Sequence, residues 1–307
     1  MRIAVFGVGG VGGYFGARLA ASGADVVFIA RGAHLAAMQS RGLRLESGFG
    51  DLTLAPVTAS DDPAAIGPVD VVHFTVKLYD VESAAARLRP MLKPDTAVIA
   101  FQNGIDAEER IGRAIPAAHV VGGVAYISAT IAEPGLIRHL NKVHKLAFGE
   151  MDGRTSPRLE ALLAACRKAG FDAELTADIR RALWEKFVFL APMAAATGAT
   201  RQPIGPILAD PDLRRLFSDL IAEAIAVART QGLELAPDML ERTIRTAASL
   251  PGTMKASLAH DLEKGARLEI EGLSGTLVRL GEAAGIAVPT HRALYAALKP
   301  FAAGRNS

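Results

Sequence analysis

Cysteine is almost absent: Cys166 is the only one in 307 residues. A single cysteine excludes an intramolecular disulfide, and with no companion thiols or histidine cluster beside it, it excludes a thiolate metal site as well. In the helical pattern LEALLAACRKAG it reads as a small buried hydrophobe. An excess of one charge is lacking too: 34 Lys and Arg stand against 32 Asp and Glu, a formal net charge of +2. The basic residues are dispersed, with no stripe interleaved with aromatics, so no nucleic-acid partner is expected. Half the residues are apolar, yet no uninterrupted apolar run reaches the roughly 18 to 20 residues of a membrane span. The start MRIAVFG has no signal-peptide layout, so no membrane partner is expected and the chain reads as cytoplasmic. Among seven histidines, His139 and His144 form the only close pair not separated by a helix. Strand alternation puts an i, i+5 pair on opposite faces, so no metal site is expected.

What the chain does contain is alternation. Short β-branched runs at residues 2–7, 25–31, 70–77 and 97–103 are separated by amphipathic segments such as GYFGARLAAS and YDVESAAARLRPML. The runs are nearly all apolar, as expected of parallel strands covered by helices on both faces. LRLES and DLTLAPV predict a small hairpin inserted after the second strand, and residues 119–149 predict further strands completing the sheet. From about Ile179 long helical patterns take over, each bounded by Gly, Pro or Asp. The expected fold is α/β: an N-terminal Rossmann-type doubly wound sheet over residues 1–175, followed by an all-α C-terminal substrate domain over residues 176–307. The apolar faces of those later helices suit internal packing or a homodimer equally.

The first strand runs straight into Gly7-Val8-Gly9-Gly10-Val11-Gly12, followed by a helix that carries Gly13 and Gly16. In a dinucleotide-binding turn the first glycine permits the bend, the second lets the backbone approach a pyrophosphate, and the third lets helix pack on strand. The helix N-terminus then offers free N–H groups and a positive dipole end to the phosphates. At the end of the second strand, where NAD sites of this kind place an acid for the ribose hydroxyls, the chain reads Ile29-Ala30-Arg31-Gly32. The planar fork of Arg31 suits a 2′-phosphate, so NADPH is the expected cofactor.

In open α/β sheets ligands collect beyond the carboxyl ends of the strands. Lys77 in FTVKLYD and Asn103 in AFQNGID stand at that edge. Farther on, ALWEKFVFLAPMAAATG sets the cation of Lys186 in an otherwise apolar helix. Burying an ammonium is unfavourable by several kcal/mol, on the order of, so its charge either snorkels to water or is used in a cleft.

Taken in order, GVGGVGGYFGARLAASG, Arg31, VKLYD, QNG, LWEKF, SLAHDLEKGARLEIEGLSG and GIAVPTH resemble a ketopantoate reductase (2-dehydropantoate 2-reductase). The resemblance covers nearly the whole chain. It implies a Rossmann domain joined to a helical domain, and reduction of the keto group of a small 2-keto acid, 2-dehydropantoate, to pantoate by NADPH. It further implies Lys186 as the catalytic lysine and Glu269 as its carboxylate partner, with Asn103, Ser257 and Lys77 lining a cleft near substrate and nicotinamide. Asn103 and Glu269 are thereby expected at the cofactor as well. The residue types suit the chemistry independently: hydride addition to a ketone develops charge on oxygen, which a positioned ammonium stabilises and then protonates.

The chain departs from the family four and eight residues beyond Lys186. There the family carries substrate-contacting asparagines, and this chain has Leu190 and Ala194. Both are expected on the substrate-binding face with Lys186, which makes the cleft less polar and predicts either a bulkier or more apolar 2-keto acid or 2-dehydropantoate read through Ser257 and Asn103. An opine-forming or 3-hydroxy acid dehydrogenase on the same fold, and a non-catalytic NADPH-binding protein, are the other readings.

Overall fold

The computed structural model describes residues 1–305. The chain divides into two compact units: Met1–Gln102 with Asp106–Ala182, and Asn103–Ile105 with the chain from Leu183 onward. The division falls later than the compositional change at 175, and it assigns the short segment after the fourth apolar run to the helical unit.

The first unit is built from β1 (Arg2–Phe6), α1 (Gly10–Ala21), β2 (Asp25–Ile29), α2 (Gly32–Arg41), β3 (Leu43–Glu46), β4 (Leu52–Leu54), β5 (Thr58–Ser60), α3 (Pro63–Ile66), β6 (Val71–Phe74), α4 (Val81–Ala85), β7 (Ala97–Ala100), α5 (Ala107–Gly112), β8 (Val120–Glu133), β9 (Leu136–Glu150), α6 (Pro157–Lys168) and β10 (Asp172–Leu175). The sheet order is β4-β3-β9-β8-β7-β6-β1-β2-β5, with β10 on the other end of β9. From β5 to β8 every pairing is parallel. The apolar runs are explained by their two faces. Ile3 and Val5 of β1 enter one core with Tyr14, Phe15 and Leu19 of α1 and Leu159, Leu162 and Cys166 of α6. Ala4 and Phe6 enter the other, with Ile66 of α3, Val81 of α4 and Ile111 of α5. Side chains alternate across a strand, so a strand covered on both sides needs apolar residues at every position. Cys166 is buried in the first of these cores, where desolvation pushes its thiol up to about 12.

The expected hairpin is present as antiparallel β3 and β4, but it is not a separate appendage, because β3 also pairs in parallel with β9 and extends the sheet. The expectation for His139 and His144 is corrected. The β8–β9 register jumps between Ile127↔His144 and Ala129↔His139, so five steps along β9 oppose two along β8. Such a bulge breaks the alternation. Both rings therefore come to Tyr14, at 4.7 and 5.9 Å, and lie 6.3 Å apart. The nitrogens of His139 are engaged with Ser47, Asn141 and the Val143 carbonyl, and Nδ1 of His144 meets the Tyr14 hydroxyl at 2.6 Å.

The second unit is helical: α7 (Ile179–Thr200), whose first residues belong to the other unit, then α8 (Ile204–Ala209), α9 (Pro211–Thr230), α10 (Met239–Ser249), α11 (Ser257–Glu263), α12 (Ser274–Ala284) and α13 (Pro289–Leu298). Helix α7 is apolar nearly all round because it is the core of the unit; Trp184, Phe187, Val188 and Ala191 through Ala196, except Pro192, belong to its buried cluster. The helix runs on through Pro192 to Thr200. The PTH of GIAVPTH acts as a clasp. Glu223 on α9 accepts the free N–H groups of Thr290 and His291 at 2.8 and 2.9 Å, while the His291 ring links Ser274 of α12 to the Leu220 carbonyl. No helix among the described residues is long and apolar enough to cross a membrane.

Candidate active site

Each unit gathers one group of the residues singled out in the sequence. In the first unit, β1 is flanked by β2 on one side and β6 on the other, and the connections leaving these strands diverge. A crevice opens where they part, as at any switch point of a doubly wound sheet. A cavity of about 460 Å³ lies there, lined by Phe6 to Gly9 after β1, Ile29 to Arg31 after β2 and Thr75 to Lys77 after β6.

The glycines of the turn serve different physical ends. Gly7 has φ +101°, which L side chains rarely adopt, and a Cβ there would lie 2.8 Å from the Val76 nitrogen. Gly12 lets α1 close on the strand, since its Cβ would lie 2.3 Å from both the Gly7 carbonyl and Thr75 Oγ1. Thr75 uses that closeness to donate to the Gly7 carbonyl at 2.6 Å, fixing the turn. A Cβ on Gly10 would meet the Ala129 carbonyl at 2.0 Å. Gly9 alone faces open space, with no atom within 4 Å of where its Cβ would stand, and it lines the cavity. Backbone exposed in this way, beside the first turn of α1 with its unbonded N–H groups, is the arrangement a pyrophosphate needs. Gly10, Val11 and Gly12 supply that first turn and do not themselves line the cavity, whereas Val8 does.

Arg31 follows β2 directly before α2, with its side chain 82% exposed and its guanidinium ion-paired to Asp80. Lys77 is half-buried at the cavity wall. The same wall carries His34, Asp80, Ser83 and Arg87, which a search confined to the strand ends misses. The signal that points to Asp80 is its place directly after VKLY, in the turn that leaves β6.

In the second unit, Lys186 of α7 donates from Nζ to Asn103 Oδ1 at 2.8 Å. Lys186 is only half-buried by surface area, but the protein around its amine lowers its pKa from 10.5 to about 8, through desolvation opposed by the attraction of Glu269. Glu269 is itself buried, at the residue before a short 3-10 turn. An ammonium held near neutrality, oriented by an amide oxygen and set in the field of a carboxylate, can give up a proton at working pH. The remaining expected residues are not equivalent to these. Ser257 is exposed at the first position of α11, and Leu190 is half-buried against the helical core. Ala194 lies inside that core at 1% exposure, so in this structure it contributes packing and no accessible surface. Among the described residues no group of three or more His, Cys, Asp or Glu side chains is placed to hold a metal ion.

Comparison with known proteins bears on the whole chain. The family described as ketopantoate reductase PanE/ApbA matches residues 3–153, and its C-terminal part matches residues 178–302. The chain is 31% identical to an uncharacterized oxidoreductase, YkpB, of Bacillus subtilis, over 99% of both chains. It is 32% identical to a 2-dehydropantoate 2-reductase of Mesorhizobium japonicum, covering 100% of this chain and 99% of that one. Among solved structures, the 2-dehydropantoate 2-reductase of Geobacter metallireducens superposes with a TM-score of 0.92 at 34% identity, covering 98% of this chain and 99% of its own. With both family segments present in order and these relatives matched end to end, the chain belongs to the ketopantoate reductase family of oxidoreductases.

Proposed function

We propose that the chain reduces 2-dehydropantoate, a 2-keto acid, to the 2-hydroxy acid pantoate with NADPH. The observation that carries this reading is Lys186: a lysine with its pKa brought to about 8 by burial, hydrogen-bonded to Asn103 and attracted by Glu269. When bound, the nicotinamide cofactor supplies a hydride to the carbonyl carbon. Negative charge then gathers on the carbonyl oxygen, and the Lys186 ammonium stabilises it and transfers one proton to it, which leaves a neutral amine and a hydroxyl. Asn103 takes one of the three ammonium hydrogens, so the others keep a defined direction. Glu269 opposes desolvation enough to keep the amine protonated near neutral pH.

The residues of the first unit fit the dinucleotide. Gly9 leaves its backbone open to the cavity, the first turn of α1 presents N–H groups for the pyrophosphate, and Lys77 adds positive charge to the wall, where Arg31 stands paired with Asp80. Leu190 replaces an amide with hydrocarbon one helical turn from Lys186, which sets the competing outcome of the test. Purified protein is offered a panel of 2-keto acids with NADPH and with NADH, and nicotinamide oxidation is followed. Turnover of 2-dehydropantoate above the rest of the panel supports the proposal. Preference for a bulkier, apolar 2-keto acid transfers the same chemistry to another substrate, and dinucleotide binding without turnover of any 2-keto acid overturns it.

A further inference from the structure

The wall that holds Arg31 carries two charges of opposite sign. Arg31 is the group suited to a 2′-phosphate, yet its guanidinium is already committed to the Asp80 carboxylate. The partners differ in freedom, with the Arg31 side chain 82% exposed and that of Asp80 20%. Asp80 is the anchored member. It closes the 3-10 turn Leu78–Asp80, its N–H bonds the Lys77 carbonyl at 2.9 Å, and its own carbonyl accepts from Ser83 Oγ at 3.0 Å. Both Arg31 and Asp80 line the one cavity.

A carboxylate at the ribose accepts hydrogen bonds from a 2′-hydroxyl and repels a 2′-phosphate, which is how dinucleotide sites select NAD. That acid ordinarily ends the second strand, where this chain has Ala30 and Arg31. Here it arrives from the turn after β6, and it neutralises the very cation that would otherwise read the phosphate. We infer that Asp80 is a specificity-determining residue of the cofactor site: it holds Arg31 and opposes the 2′-phosphate, so the chain prefers NADPH only weakly and accepts NADH as well. The inference rests on the reading above that this cavity takes a nicotinamide dinucleotide, with the ribose that bears the 2′-phosphate beside Arg31.

The test uses two fragments, 2′,5′-ADP and 5′-AMP, with affinities measured by calorimetry on the whole protein and no turnover involved. Taking their ratio cancels the shared 5′-phosphate. In the unaltered protein 2′,5′-ADP should bind more tightly by no more than roughly tenfold, because an exposed, already paired arginine contributes little. Asp80→Asn should raise that ratio about threefold to tenfold, the scale of one charge removed at a partly exposed site. Asp80→Ala should raise it in the same direction, which guards against an effect peculiar to one replacement. Arg31→Ala should bring the ratio to one or below, since the Asp80 carboxylate then stands unpaired beside the phosphate. If Arg31→Ala lowers the ratio while both Asp80 variants leave it unchanged or reduce it, the role of Asp80 is overturned and the cavity assignment stands. If Arg31→Ala changes nothing, the assignment of the cavity falls, and the inference with it. A ratio on the order of a thousandfold in the unaltered protein would also overturn the inference.

Discussion

Replacing Lys186 by methionine keeps the length of the side chain and removes its charge, which separates what the ammonium does for catalysis from what it does to the fold. Burial holds the folded-state pKa at about 8 against 10.5 for a solvated lysine. Below pH 8 the amine is charged in both folded and unfolded chains, and the fold bears the full penalty of desolvating it. Between about 8 and 10.5 the folded chain has released its proton and the unfolded chain has not, so stability rises with pH across that window. The difference of 2.5 pH units corresponds to about 3 kcal/mol in the folded protein relative to a variant with nothing to titrate at that position. Trp184, the only tryptophan, is 5% exposed on the same helix and reports unfolding of the helical unit by fluorescence. Denaturant titrations of wild type and Lys186→Met at several pH values should show the wild type gaining on the variant between pH 8 and 10.5. Activity should run in the opposite direction. Turnover by the wild type declines tenfold per pH unit above about 8 as the proton donor is lost, and Lys186→Met loses about a hundredfold to ten-thousandfold at neutral pH. A stability difference that stays flat across the window, or turnover that persists above it, would refute both the buried ammonium and its role as acid.

Gly9→Ala should leave thermal stability within about 1 kcal/mol, because its Cβ enters open space, while dinucleotide affinity by titration falls tenfold or more on the order of magnitude of a lost backbone approach. Gly10→Ala should lower the melting temperature outright, since its Cβ would stand 2.0 Å from the Ala129 carbonyl. Asn103→Ala removes the acceptor that orients Lys186, and turnover should fall about tenfold to a hundredfold with dinucleotide affinity changed less than turnover. His291→Ala should destabilise the helical unit by about 2 to 4 kcal/mol, read at Trp184, because it strips partners from buried Ser274 and the Leu220 carbonyl. Burial lowers the His291 pKa from 6.5 to about 4, so wild-type stability should fall as pH drops through that interval and the variant should lack that part of the slope.

Much of the fold was written locally. Strands covered on both faces are nearly all apolar, so β1, β2, β6 and β7 stand out as apolar runs, interrupted inside β6 by the buried His73, and the glycine turn after β1 follows from what a tight bend and a close helix require. The change to helical patterns marks the second unit, with α7 apolar around most of its circumference because it forms the core of that unit. Lys186 drew attention as a cation in that helix, and its neighbours alone raised the question of use or snorkelling.

Other features could be settled only by the folded chain. The β8–β9 bulge put His139 and His144 beside one tyrosine, because alternation predicts faces only while the ladder is regular. Ala194 stands eight residues from Lys186, yet it lies in the core, since what packs against a helix face is decided by other helices. The partners of Lys186 come from positions 103 and 269, and no local pattern links them. Asp80 and Arg31 meet across forty-nine residues for the same reason. Local sequence determined which segments form strands, helices and turns, because those depend on periodicity and on the conformational freedom of single residues. The tertiary structure decided the charge environment of each cation, because desolvation and pairing depend on groups that only folding brings together.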